Sequence, residues 1–128
     1  MGTQERVEKF LYELTLTFES VGEGAWVIND AEKGLQNVVV LVEEPLVIVR
    51  VKVMDLPENN REKFFEQLLR LNASDLVHGA YALEGDNVIL VNTLFADTID
   101  LEEFQSTLDA ISLALAQHYE VLAGYRSQ

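Results

Sequence analysis

Apolar and polar positions change their period several times along the chain, and each change marks an element. Val7, Phe10, Leu11 and Leu14 recur at helical spacing among Glu5, Arg6, Glu8, Lys9 and Glu13, which predicts a helix from about Thr3 to Thr15 with one buried side and Thr3 as its cap. Leu16 and Phe18 then alternate with Thr17 and Glu19, an extended stretch that Gly22 and Gly24 punctuate. Ala25 to about Asn29 reads as a strand, Asp30 to Gly34 as a polar turn with a glycine suited to left-handed backbone, and Leu35 to Val42 as a second strand. Beyond the turn at Glu43, Glu44 and Pro45, a third strand runs from Leu46 to Met54. Val47, Val49, Val51 and Val53 share one of its faces, and Leu46, Ile48, Arg50, Lys52 and Met54 share the other. The first face calls for full burial, whereas the second becomes wet towards its end. Short connections make these three strands an antiparallel meander.

The period returns to helical from about Asn59 or Asn60 to Leu71, after Pro57. Phe64, Phe65, Leu68, Leu69 and Leu71 cover an arc of roughly 160°, wider than one sheet can use. Either this helix is wedged deep in the core, or part of its face meets a second subunit. Val77 to Leu83 and Asn87 to Leu94 form a second hairpin around Glu84, Gly85 and Asp86. Asp100 opens the last helix with Glu103 as its capping-box partner; Leu101, Phe104, Leu108, Ile111, Leu115, Tyr119 and Leu122 line one side, and Gly124 ends it. The chain is thus one α+β domain over residues 1–128, in the order α-βββ-α-ββ-α, with an antiparallel five-stranded sheet carrying its helices mainly on one face.

Composition removes several classes of function. The 48% hydrophobic content with 2 prolines excludes disorder, and no apolar run approaches the roughly 20 residues of a membrane helix, so no membrane insertion is expected. The 22 acidic and 9 basic residues give a net charge of -13, which repels a phosphate backbone and sets nucleic acid aside as a partner. Cysteine is absent and the N-terminus shows no basic, apolar leader, which fits a cytoplasmic protein. Asn72-Ala73-Ser74 matches a glycosylation acceptor, a pattern too short to carry weight in such a chain.

A search for chemistry finds no catalytic constellation. His78 and His118 stand far apart, neither at metal-ligand spacing with another histidine or a cysteine, so no metal or other cofactor is expected. The acid pairs Glu43 with Glu44 and Glu102 with Glu103 lie at a turn and a helix start, where solvated acids are ordinary. No G-x-S-x-G elbow or phosphate loop occurs, and Gly22 with Gly24 lacks the strand-to-helix context of a dinucleotide site. Phe18, Trp26 and Tyr81 are candidates for a binding surface, against the ordinary alternative that an amphipathic aromatic packs on a sheet.

Three stretches carry a family resemblance: Gly22-Glu23-Gly24-Ala25-Trp26-Val27; Phe64 to Ser74 followed by His78-Gly79-Ala80-Tyr81-Ala82-Leu83; and Ile99-Asp100-Leu101-Glu102-Glu103-Phe104. Together they resemble the YbjN type of domain, a bacterial family named for sensory transduction regulation whose fold is that of the type III secretion chaperones. The resemblance spans almost the whole chain and brings no catalytic residues. It implies a homodimeric, chaperone-like or adaptor module that binds a protein or peptide client along apolar surface and strand edges. Phe65, Leu69 and Tyr81 are then the candidate dimer interface, and Phe18 and Trp26 the candidate partner-binding residues. The alternative is a regulatory domain that binds a small ligand between helices and sheet.

Overall fold

Five strands lie where the alternation puts them, and a sixth precedes them. The computed structural model describes residues 1–76 and 78–126. Its elements are α1 (Thr3–Glu13), β1 (Phe18–Gly22), β2 (Ala25–Asp30), a single 3-10 turn (Ala31–Lys33), β3 (Leu35–Glu43), β4 (Leu46–Asp55), α2 (Arg61–Ser74), β5 (Ala80–Glu84), β6 (Asn87–Phe95) and α3 (Leu101–Ala123). The strands form one antiparallel sheet in the order β1-β2-β3-β4-β6-β5. The five-stranded expectation is therefore corrected to six. β1 falls in the stretch that the alternation of Leu16 and Phe18 marks as extended, but its residues are mostly exposed, so nothing in them signals a strand of the sheet.

The order of the last two strands follows from their composition. β6 (NVILVNTLF) is the more apolar, and it pairs with central β4 along nine register positions, Leu46↔Phe95 to Asp55↔Asn87. The short β5, with its alanines, takes the rim. The predicted start of that strand at Val77 lies outside the described residues.

Register sorts the side chains. Trp26, Ile28, Val38, Val40, Val47, Val49, Val51, Leu90 and Leu94 fall on one face and join Phe64, Phe104, Ile111 and Leu122 of the helices in a single core. A bulge between Lys52 and Met54 inserts one residue into β4, so Met54 turns into that core while Val53 is half-buried. The sequence reading had placed Met54 with the opposite face; a strict two-residue period cannot foresee an inserted residue.

All three helices attach to this one face. Arg6 of α1 donates to the carbonyl oxygens of Ala96 and Ile99, and Phe10 stacks against Phe104 of α3 with ring centres 5.7 Å apart. Ser112 of α3 donates to Lys33 O at 2.9 Å, which needs glycine next door: Gly34 is left-handed (φ 69°), and a Cβ there would sit 2.5 Å from Ser112 Oγ. Asp100 caps α3 by accepting from Glu103 N at 2.8 Å, as predicted. The cap position of α1 is Gly2 and not Thr3, and α2 extends past Leu71 to Ser74. On α3, Tyr119 is exposed rather than part of the buried side, because 3.6 residues per turn carry it off the stripe; Thr107, Ala114 and His118 fill the core instead. No described helix is long and apolar enough to cross a membrane.

Candidate functional site

With the helices on one side, the other side of the sheet is left to solvent, and it is not polar. Val27↔Val39↔Arg50↔Val91 form one row across it and Leu41↔Ile48↔Thr93 the next, with Leu46 opposite Phe95 beyond them. The aliphatic members of these rows are half-buried by their neighbours, and Phe95 is 68% exposed. Arg50 and Glu84 make a bidentate ion pair that spans β6 across Ile89, a residue buried on this outer face and outside the main core. Arg50 holds the Glu84 carboxyl below the usual carboxylate range, chiefly by hydrogen bonding, and its own guanidinium is raised in turn. One end of the face is thus closed by an ion pair and the other, at Phe95, is bare. The signal was present in the sequence: VVVLV and LVIVRV are apolar at consecutive positions, as in strands with both faces covered, and three helices on one face cannot cover two.

The second surface is the outer flank of α2. Phe64, Leu68 and Leu71 point into the core, Phe65 is half-buried and Leu69 is 67% exposed. Neighbouring β5 is tied to α2 by Asn72, whose side chain accepts from Tyr81 N at 2.7 Å and donates to Tyr81 O at 3.2 Å. Both backbone groups of Tyr81 therefore point away from β6, and Asn72 occupies the free edge there as a short strand would.

The aromatic candidates are mostly not surface. Tyr81 is 5% exposed and its phenol shares a 2.7 Å hydrogen bond with Nδ1 of buried His118, so its ring offers no contact to a partner; with its backbone groups taken by Asn72, the expected interface role is corrected to that of a core residue. Trp26 is 3% exposed on the core face and donates from its indole to Glu8 of α1 at 3.0 Å; as a partner-binding residue it is likewise corrected to a core residue. Phe18 is half-buried, edge-on to Tyr12 at 5.1 Å. Edge strands and helix flanks gather aromatics as often for packing as for binding, and the sequence does not separate the two. Among the described residues, no cluster of three His, Cys, Asp or Glu side chains has metal-binding geometry.

His118 Nε2 stands 3.3 Å from Asp75 Oδ2 without making a hydrogen bond, so Asp75, His118 and Tyr81 form a polar column between α2, α3 and β5. Burial, with the charge of Asp75 adding to it, pushes the Tyr81 phenol up to about 12. Tyr81→Phe is expected to cost about 1–3 kcal/mol at neutral pH, since it leaves His118 Nδ1 buried without its partner. The native phenol holds its proton above the unfolded value of about 10, so its contribution is complete below pH 10 and fades as pH rises towards 12. Denaturant melts at several pH values check this: the gap between parent and variant narrows over that window, and a constant gap contradicts the column.

These features meet in a recognised family. The chain belongs to the CesT_Tir_1 family, a family of type III secretion chaperones, whose model matches residues 2–128. Among solved structures the fold is similar to YbjN from E. coli (12% identity, 92% of each chain, TM-score 0.68). It is also similar to the heterodimeric ExoU-SpcU complex of the Pseudomonas aeruginosa type III secretion system (17% identity, 87% of this chain and 93% of that one, TM-score 0.70). The Yersinia pestis secretion chaperone SycH, solved with a stable fragment of YscM2, gives 18% identity over 90% and 98% of the two chains, with TM-score 0.64. No curated protein sequence matches. The neighbours thus include chaperones held with partner proteins, and the expectation of a YbjN-like, secretion-chaperone fold is met.

Proposed function

We propose that the protein is a non-catalytic, homodimeric chaperone-like or adaptor module that holds a polypeptide partner on apolar surface and strand edges. The uncovered face of the sheet carries this reading. A contiguous apolar field left open by three helices is uncommon on a lone soluble chain and usually marks an interaction site. The edge of β1 adjoins that field and, unlike β5, carries no side chain from another element among the described residues; Ser20 of β1 itself reaches Gly22 O at 3.4 Å. An extended client could add a strand there, and a further stretch of it could lie over Val27, Val39 and Leu41. The net charge of -13 helps keep such a complex in solution. The ligand-binding alternative is disfavoured because the middle of the space between helices and sheet is filled by Phe64, Phe104 and Ile111, all fully or almost fully buried.

Affinity capture from the native cell with mass spectrometry tests the reading, using the parent and a variant carrying Ile48→Thr with Phe95→Ser. Threonine suits a strand and both positions lie on the uncovered face, so the fold is expected to persist. The parent should retain a recurrent polypeptide that the variant loses. If the variant keeps the same partners, or the parent captures only itself, the open face is not the binding surface.

A further inference from the structure

β3 and β4 separate halfway along. Their ladder ends at Val39↔Arg50, while β4 stays paired with β6 as far as Asp55↔Asn87. Asn37 causes the fork: its backbone is left-handed (φ 55°), its N–H donates to Asn29 Oδ1 at 2.8 Å, and before it Leu35 pairs with Asp30 of β2. The β3-facing side of Val51 to Asp55 is left without a partner strand, an edge in the middle of a sheet. Arg126, just past α3, reaches back to donate to Val53 O at 3.2 Å and lies 5.3 Å from the Tyr119 ring centre.

The fork opens, on the helix side, into a cleft of about 510 Å³ with Val51, Val53, Leu115 and Leu122 among its walls. A second hollow of about 430 Å³ shares Gly34 and Gln36 with it, and a third of about 290 Å³ shares Lys52, Val53 and Arg126. The first and third border the unpaired edge, and the second continues the trough from the first around Gly34 and Gln36. A compact ligand calls for one enclosed pocket; a row of open hollows beside free backbone groups fits an extended chain. Charge narrows the choice. Only 9 basic residues stand against 22 acids, yet Arg126 borders this trough with a backbone carbonyl and the Tyr119 ring as its partners; Lys52 beside it is ion-paired with Asp55 at 2.6 Å, and Asp30 borders the far end.

We infer that the fork between β3 and β4 takes up an extended polypeptide segment of alternating apolar and acidic residues. The segment pairs with the free side of β4 and displaces Arg126 from Val53 O. Its apolar residues face Leu115 and Leu122, and an acidic residue meets Arg126. The inference rests on the polypeptide-binding reading for the source of the segment, and it adds a site on the opposite side of the sheet from the uncovered face.

The test is a titration of the whole purified chain, followed by amide NMR and hydrogen exchange. The probe is a seven-residue peptide alternating valine and glutamate, capped at both ends. Shifts are expected at Gly34, Gln36 and Val51 to Val53, with slowed exchange in that part of β4. Ala116→Trp, from an exposed helix position, fills the cleft and should weaken binding by at least about tenfold. Arg126→Glu should reverse the preference towards a peptide of valine and lysine, which distinguishes a specific site from loss of fold. No saturable binding, shifts confined to the β1 edge or the uncovered face, or unchanged preference in Arg126→Glu would overturn the inference. Client capture through the uncovered face survives that result, and failed capture leaves this titration intact, so the two readings fall separately.

Discussion

Phe65→Glu combined with Leu69→Glu is expected to turn a dimer into a folded monomer of half the mass. Leu69 is 67% exposed and Phe65 half-buried beside it, so neither is needed to fill the core that Phe64, Leu68 and Leu71 occupy one helical step away. A self-complementary contact about a two-fold axis would cover both copies of this flank at once. Each subunit then brings two carboxylates into an apolar interface, and an unpaired charge buried there costs several kcal/mol. A loss of about 3 kcal/mol already raises the dissociation constant about a hundredfold. The chains repel one another at long range, with a charge of -13 each, so the parent dimer should tighten with added salt. Light scattering across a dilution series at two ionic strengths decides the matter. A parent that stays monomeric throughout, or a double variant that stays dimeric, defeats the assignment; a variant that unfolds puts these side chains in the core.

Phe104→Ala is expected to lower stability by about 3–5 kcal/mol, a large share of the roughly 5–15 kcal/mol that holds a domain together. The ring is fully buried and packs 5.7 Å from Phe10, where it joins the first and last helices of the chain. Arg6 anchors α1 nearby through the Ala96 and Ile99 carbonyls, so the site cannot collapse freely around the void. Urea unfolding at fixed protein concentration measures the loss, since dimerisation would otherwise add to it. A change under about 1 kcal/mol means that α1 is peripheral to the fold.

The helices and central strands were legible because burial on a single face writes a period into the sequence. Val47, Val49 and Val51 show it in β4, and Phe104, Leu108 and Ile111 show it in α3. Where burial is slight the writing fades: in β1 only Phe18 is even half-buried, so the alternation there marks extended backbone without showing that it pairs into the sheet. The bulge at Lys52 and Met54 and the left-handed Asn37 depend on what neighbouring strands do, which no local window contains. The candidate residues failed for a related reason. Trp26 and Tyr81 looked fit for recognition because they combine an apolar body with a polar end, and the fold spends those polar ends on Glu8 and His118. The open face was missed although the helices were expected mainly on one side, because the second face of β4 was judged by its wet end at Arg50 and Lys52 and not by the apolar residues that β2, β3 and β6 set beside it.

Asn72, laid against both backbone groups of Tyr81, has a consequence for how far association can go. A sheet with two receptive edges is a bifunctional monomer, and such units link end to end without limit. With Asn72 on β5, β1 is the rim strand left without such a stopper among the described residues, so each molecule would be monofunctional in edge-to-edge pairing. Two copies joined through β1 would expose only stoppered edges, and growth along the sheet direction would terminate at that pair. A chain with the proposed role of holding another polypeptide on open apolar surface would in this way be spared from seeding a fibre of its own.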